Sequence, residues 1–192
     1  MVSTHWRPLA FALAAAAFCF HGALAQDIAE RVQQCSVCHG EDGNSRMPNV
    51  PSIAGQPQYF LATQLVLVRE GVRKIEGMSP LLKGLKDEEI VAIAKHFAAL
   101  EAKPSDEQID PALVKRGEAL AGPMRCDSCH LPTLVGQDQT PRLAKQRVDY
   151  LIHALKQFRD DTRSGADTLM SNVVAGVSDA DLAALAHYAA SR

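Results

Sequence analysis

Two pentapeptides, Cys35-Ser36-Val37-Cys38-His39 and Cys126-Asp127-Ser128-Cys129-His130, constrain this chain more than any other feature. Both read C-x-x-C-H, the attachment motif for c-type haem. The spacing has a chemical reason. Cysteines at i and i+3 on one helical turn point the same way, so each can form a thioether with a haem vinyl group. The histidine that follows is then held beneath the iron and offers it a ring nitrogen. A structural zinc site would bring two C-x-x-C pairs within about 15–20 residues of each other, whereas Cys38 and Cys126 are far apart in the chain. A thioredoxin-like dithiol would lie in a βαβ setting, and no strand-rich pattern surrounds either pair. Plain disulfides would not require a histidine after both. The motifs therefore predict two haem c groups with their irons, held by the thioethers of Cys35, Cys38, Cys126 and Cys129, with His39 and His130 as axial ligands.

The residues before the first motif read as a leader. Arg7 precedes an uncharged run from Leu9 to Phe20, and Ala23-Leu24-Ala25 supplies a small-x-small cleavage signal. This is the layout of a secretory signal peptide, residues 1–25, removed on export to the periplasm or an equivalent oxidising space. No apolar run long enough for a membrane span follows it. Trp6, Phe11, Phe18 and Phe20 leave with it, so the large rings that remain are Tyr59, Phe60, Phe97, Tyr150, Phe158 and Tyr188. Two domains of about eighty residues with so few rings need something else at their centre, as small domains commonly do. With 20 basic against 22 acidic residues, the chain lacks the basic excess of a nucleic-acid binder. A charged fraction of 22% beside 47% apolar residues excludes a wholly disordered chain.

The chain is an internal repeat. Aligning the motifs brings Pro51-Ser52-Ile53-Ala54-Gly55-Gln56 onto Pro141-Arg142-Leu143-Ala144-Lys145-Gln146. Leu61, Leu65, Arg69 and Arg73 fall on Leu151, Leu155, Arg159 and Arg163, and Gly84 falls on Gly176. Each copy reads as helical: a helix leads into C-x-x-C-H, a second carries Phe60, Leu61, Leu65 and Val68, or Leu151, Leu155 and Phe158, and a last one closes the copy. That last helix starts near Asp87 or Ser178, with acids in its first turn and capping-box spacing between Ser178 and Asp181. Its buried stripe is Ile90, Ile93, Ala94 and Phe97, or Leu182, Leu185, Ala186 and Ala189. Prolines and acids between Glu101 and Pro111 read as a linker. The expected organisation is residues 26–102 and 112–192 as two domains joined by 103–111.

The second axial ligand follows from the same register. Met78 and Met170 lie in corresponding places before the last helix, whereas Met47 and Met124 have no counterparts and read as packing or surface residues. His96, His153 and His187 lack counterparts too. Met78 and Met170 are thus the expected sixth ligands, and a thioether there raises the potential and fills both axial positions, as electron transfer requires.

These paired elements, C-x-x-C-H, P-x-[IL]-A-x-Q, the methionine and the final helix, make the chain resemble dihaem class I c-type cytochromes. It is similar to the cytochrome c-four family and to dihaem subunits of periplasmic dehydrogenases. The resemblance covers essentially all of the chain after residue 25. It implies an all-α fold of two tandem cytochrome c-like domains, each a few helices around one covalently bound haem, with the haem edges facing across the interface. It also implies that the carbonyls of Pro51 and Pro141 accept a hydrogen bond from Nδ1 of His39 and His130, orienting each ring. The implied function is periplasmic transfer of single electrons between redox proteins: a dehydrogenase, another cytochrome or a terminal oxidase. Two alternatives stand beside it, a subunit of a dehydrogenase or oxidase complex and a peroxidase-like dihaem enzyme with one open iron position. The recurring Arg69, Arg73, Arg159 and Arg163 are read either as partners of haem propionates or as solvated helix faces. The basic set Arg142, Lys145, Arg147, Lys156 and Arg159 is read as a solvated surface, as charge runs ordinarily are, with a docking face for an acidic partner as the alternative.

Overall fold

The computed structural model describes residues 28–165 and 168–192, and the expected leader lies outside them. Among the described residues the structure is helical. The first copy contains α1 (28–39), α2 (Gln58–Arg69), α3 (Ser79–Leu82) and α4 (Asp87–Ala98). The second contains α5 (Pro111–Ala121), α6 (Asp127–His130), α7 (Val148–Arg159), α8 (Thr168–Val174) and α9 (Asp179–Ala190). The one β-type pairing described is an isolated bridge between Gln137 and Thr140. No single described helix is long and apolar enough to cross a membrane.

The apolar stripes are buried where the periodicity places them. In the first copy Leu61 and Val68 of α2 pack with Ile90, Ile93, Ala94 and Phe97 of α4, and Leu82 and Leu85 complete the cluster. In the second, Leu151 of α7 packs with Ala186 and Ala189 of α9, while Leu182 and Leu185 of α9 join Ala121 and Val174. The helix starts are capped as their sequences suggest. Ser178 Oγ accepts from the Asp181 N–H at 3.1 Å, and Glu89 accepts from the Lys86 N–H at 2.8 Å. Asp110 caps α5 by accepting from the Ala112 N–H at 2.8 Å, with Pro111 in the first turn.

Two features depart from the sequence reading. The four-residue α3 and seven-residue α8 stand between the long helices of each copy and carry the methionine region, to which the sequence reading assigned no helix. The helices leading into the motifs also differ. α1 is continuous through Cys35 and His39, but α5 stops at Ala121, before Gly122 and Pro123, and α6 restarts at Asp127. Proline lacks the N–H that would continue the helix, and its ring restricts the residue before it.

The segment between the copies is a docked strap rather than a free tether. Lys103 Nζ pairs with Asp42 at 2.8 Å, and Asn44 Nδ2 donates to the Glu101 carbonyl at 3.0 Å. Further on, Asp106 pairs with Arg147 at 2.8 Å. Glu107 accepts from the Val148 and Asp149 N–H groups at 2.6 and 2.9 Å, a carboxylate cap on the first turn of α7. Two otherwise unpaired donors and the positive end of the helix both favour a negative group there. Glu107→Ala is expected to cost about 1–2 kcal/mol, the range for a lost cap, read as a lower denaturant midpoint at unchanged slope.

The copies meet through their P-x-[IL]-A-x-Q segments. Gln56 of one bonds the backbone of Arg142, and Gln146 of the other bonds the backbone of Ser52. Around this centre the Asn49 N–H donates to Asp149 at 3.0 Å, and the Lys74 N–H donates to Ser164 Oγ at 3.0 Å.

Candidate haem sites

Each C-x-x-C-H histidine ends a helix and points inward. His39 and His130 are only 6% and 5% exposed. Their Nδ1 atoms lie 2.8 and 2.9 Å from the carbonyl oxygens of Pro51 and Pro141. A carbonyl can only accept, so each Nδ1 carries the proton and each Nε2 keeps a lone pair. Burial pushes both imidazoles below the ordinary histidine range, and the proline carbonyls only partly oppose this. Both rings are therefore neutral at physiological pH, the form that binds a metal. The hydrogen bonds that the resemblance implied are present in both copies.

None of the four motif cysteines is taken up in a disulfide. Cys35 and Cys126 are half-buried, and burial raises their pKa. Cys38 and Cys129 are exposed. No group of three or more His, Cys, Asp or Glu suited to a metal ion occurs among the described residues.

Both motifs open on one continuous cavity of about 1550 Å³, and Met78 and Met170 line it as well. That exceeds the 300–1,000 Å³ of an ordinary single-ligand pocket and suits two large flat groups. Its walls are mostly apolar, including Phe60, Leu65, Ile93 and Phe97 in the first copy and Leu143, Leu155, Phe158 and Leu185 in the second. Met78 immediately precedes α3, and Met170 lies within α8. Met47 is exposed, as its lack of a counterpart suggested. Met124 lines the cavity two residues before Cys126 and, like Met170, packs against the cluster of Ala121, Val174, Leu182 and Leu185. His153 lines the cavity from an exposed position on α7, and His187 Nδ1 accepts from the Asp110 N–H at 3.2 Å.

The cations in the cavity decide whether haem fits. Arg142 is 3% exposed and has no carboxylate partner among its hydrogen bonds. Its Nη2 donates to the Ala54 carbonyl at 2.8 Å, its Nη1 donates to the Ala144 carbonyl, and its Nε has no partner. Burial pulls its pKa down to about 10, so it remains a cation at neutral pH. A buried cation with an orphaned donor on the cavity wall suits an anion, and the carboxylates on one edge of a haem would supply one. Arg73 and Arg163, one from each copy, also line the cavity. Between them lies the phenol of Tyr150: burial pushes it up, but the two guanidiniums together hold it below the ordinary tyrosine value. Thiol pairs, neutral imidazoles, thioethers and interior cations together match a covalent haem with buried acid groups.

The structure corrects two readings of the basic residues. Arg142 and Arg147 form no docking face, because both are buried between the copies. Arg147 pairs with Asp106 and Asp149 at 2.8 and 2.9 Å. Lys156 and Arg159 both pair with Asp179, and Lys145 Nζ reaches the Ala102 carbonyl at 3.3 Å. The recurring arginines also divide by role. Arg69 and Arg159 bind Asp87 and Asp179 at 2.7 and 2.5 Å, tying the second helix of each copy to the start of its last. Arg73 and Arg163 face the cavity. Sequence reasoning named Arg142 only as a surface cation and Tyr150 only as a core ring, and it marked Gln56 and Gln146 only through the P-x-[IL]-A-x-Q segment that occurs twice.

A helical unit with C-x-x-C-H ending a helix, a methionine on the same cavity and a closing helix, present twice in one chain, defines a tandem c-type cytochrome. Residues 24–97 match the family model described as cytochrome c oxidase, cbb3-type, subunit III. Cytochrome c4 of Pseudomonas aeruginosa is 37% identical over 80% of this chain and 81% of its own length. The crystal structure of reduced recombinant cytochrome c4 from Pseudomonas stutzeri superposes with a TM-score of 0.77 at 34% identity, covering 85% of this chain and 96% of that one. A thiosulfate dehydrogenase electron acceptor of Thiomonas intermedia is 31% identical over 82% of this chain and 78% of its own. The chain belongs to the cytochrome c4 family. It is a dihaem cytochrome that carries electrons between redox partners, and its two C-x-x-C-H motifs fit two haem c groups.

Proposed function

We propose that His39 with Met78, and His130 with Met170, ligate the two irons in domains 26–102 and 112–192, joined by 103–111. On this reading the chain works in the periplasm after loss of residues 1–25. The observation that carries it is the single cavity on which both histidines and both methionines open. When bound, the haem iron supplies a one-electron couple whose potential the thioether raises. The chain does the rest. The cysteines hold the group covalently, the Pro51 and Pro141 carbonyls fix the imidazoles, and the apolar walls exclude water. Arg142, Arg73 and Arg163, which line the cavity, would pair with the carboxylates of the group. The continuity of the cavity supports electrons entering at one domain and leaving from the other.

The electron partner we infer is a periplasmic dehydrogenase. The likeness to thiosulfate dehydrogenase electron acceptors favours this, and with it a second reading as a subunit of such a complex. The test of ligation is the holoprotein spectrum. Two covalent haems, the red-region methionine–iron charge-transfer band and no response to carbon monoxide are expected. Met78→Ala and Met170→Ala should each remove about half of that band, since each opens one of two irons, and should make one haem bind carbon monoxide when reduced. A band unchanged in either variant assigns that iron another ligand.

A further inference from the structure

The two histidines are connected to each other's domains by hydrogen bonds in series. Gln146 Oε1 accepts from the Ser52 N–H at 2.8 Å, and Gln146 Nε2 donates to the Ser52 carbonyl at 2.8 Å. Reciprocally, Gln56 Oε1 accepts from the Arg142 N–H at 2.9 Å, and Gln56 Nε2 donates to the Arg142 carbonyl at 2.9 Å. The Ser52 N–H belongs to the same peptide group as the Pro51 carbonyl, the acceptor of His39 Nδ1–H. The Arg142 N–H likewise shares a peptide group with the Pro141 carbonyl, the acceptor of His130 Nδ1–H. Each glutamine therefore holds, from the opposite domain, the far end of the peptide group that orients a haem histidine. Gln56, Gln146, Ser52 and Arg142 are all at most 4% exposed, so water does not compete.

Hydrogen bonds in series polarise one another, more so in a low-dielectric interior. An acceptor on the peptide N–H shifts negative charge to the carbonyl oxygen of that peptide. The oxygen then holds Nδ1–H more tightly, and the ring becomes a stronger donor through Nε2. A stronger donor favours ferric over ferrous iron and lowers the potential. We infer that Gln146 and Gln56 are positioning residues through which each domain sets the reduction potential of the haem held by the other. Gln146 acts on the haem of His39, and Gln56 acts on the haem of His130. This rests on the proposed histidine ligation. The doubled glutamine of the repeat is thereby a redox-coupling element as well as an interface contact. Loosening the interface raises both potentials together.

The experiment is a redox titration of holoprotein for the wild type, Gln146→Leu and Gln56→Leu, with the two haems assigned by NMR. Gln146→Leu should raise the potential of the His39 haem by about threefold in its reduction equilibrium, which is about 30 mV at 59 mV per tenfold. The His130 haem should move much less. Gln56→Leu should do the reverse, so the separation between the two potentials changes with opposite sign in the two variants. The Nδ1–H resonance of His39 should move upfield in Gln146→Leu while that of His130 stays. Equal shifts of both haems in both variants, or none, overturn the inference and leave the glutamines as interface contacts only. Where leucine opens the interface, seen as faster hydrogen exchange at residues 52, 56, 142 and 146 together, Gln146→Asn and Gln56→Asn carry the same test with a polar side chain one methylene shorter. The wild-type spectrum is read first: a protein without histidine–methionine signals at both irons refutes the ligand assignment itself, separately from the titration.

Discussion

A Cys126→Ser, Cys129→Ser double variant is expected to carry one haem per chain instead of two, and to lose the helical signal of its second half. The reason lies in what surrounds those cysteines. The buried apolar residues of the second copy are dominated by small side chains: Ala121, Ala144, Ala154, Ala184, Ala186, Ala189 and Ala190. Its rings, Tyr150, Phe158 and Tyr188, are only partly buried and line the cavity. The first copy has a more self-sufficient core, with Phe97, Ile90, Ile93 and Val68 at no more than 2% exposure. Left without its occupant, the second half of the cavity would expose mostly apolar walls that have few large side chains with which to close on one another. A second copy that cannot retain its prosthetic group therefore collapses instead of keeping its shape. The checks are haem-to-protein stoichiometry and circular dichroism of the purified variant. Two retained haems, or one haem with full helicity, would contradict the account.

The same contrast explains how much was legible beforehand. The thioether chemistry fixes cysteines and histidine within five residues, so the motif can be read wherever it falls. Met78 and Met170 stand out as candidates because the repeat gives each a partner in register. The stripe of α4 was legible because a helix buries residues at a fixed period. What escaped depends on residues distant in sequence. Arg142 and Arg147 look like any surface cations until the copies close over them, and their burial is a property of the interface. Gln56 and Gln146 find their partners 86 and 94 residues away, a pairing no local pattern records. α3 and α8, at four and seven residues, are too short to show a period. The break between α5 and α6 was in fact written at Gly122-Pro123, and it was hidden by assuming that the two copies approach their motifs alike.

Gly117 is the position at which a single methyl group should do the most damage. It lies in α5, where that helix crosses α9. A Cβ added there would stand 2.1 Å from the Ala184 carbonyl oxygen, 2.6 Å from its carbon and 2.7 Å from Tyr188 Cβ. These atoms are the backbone and the root of a side chain on a packed helix, so no rotamer change can clear the space. The helices must move apart, and α9 carries Leu185, Ala186 and Ala189 on the cavity wall while α5 leads toward Cys126. Alanine regains about 1 kcal/mol of helix propensity, which offsets only part of the overpacking. A net loss of about 2–3 kcal/mol is expected. For a unit of this size that lowers the melting temperature of the second copy by roughly 15 °C. Gly77→Ala is the control. A Cβ there meets nothing within 4 Å and its φ lies outside the left-handed region, so it should change stability by less than about 0.5 kcal/mol. Thermal unfolding of the two holoprotein variants decides the matter: equal melting temperatures would mean that the α5–α9 crossing is loose, and the close approach that brings the second motif to its cavity would then need another cause.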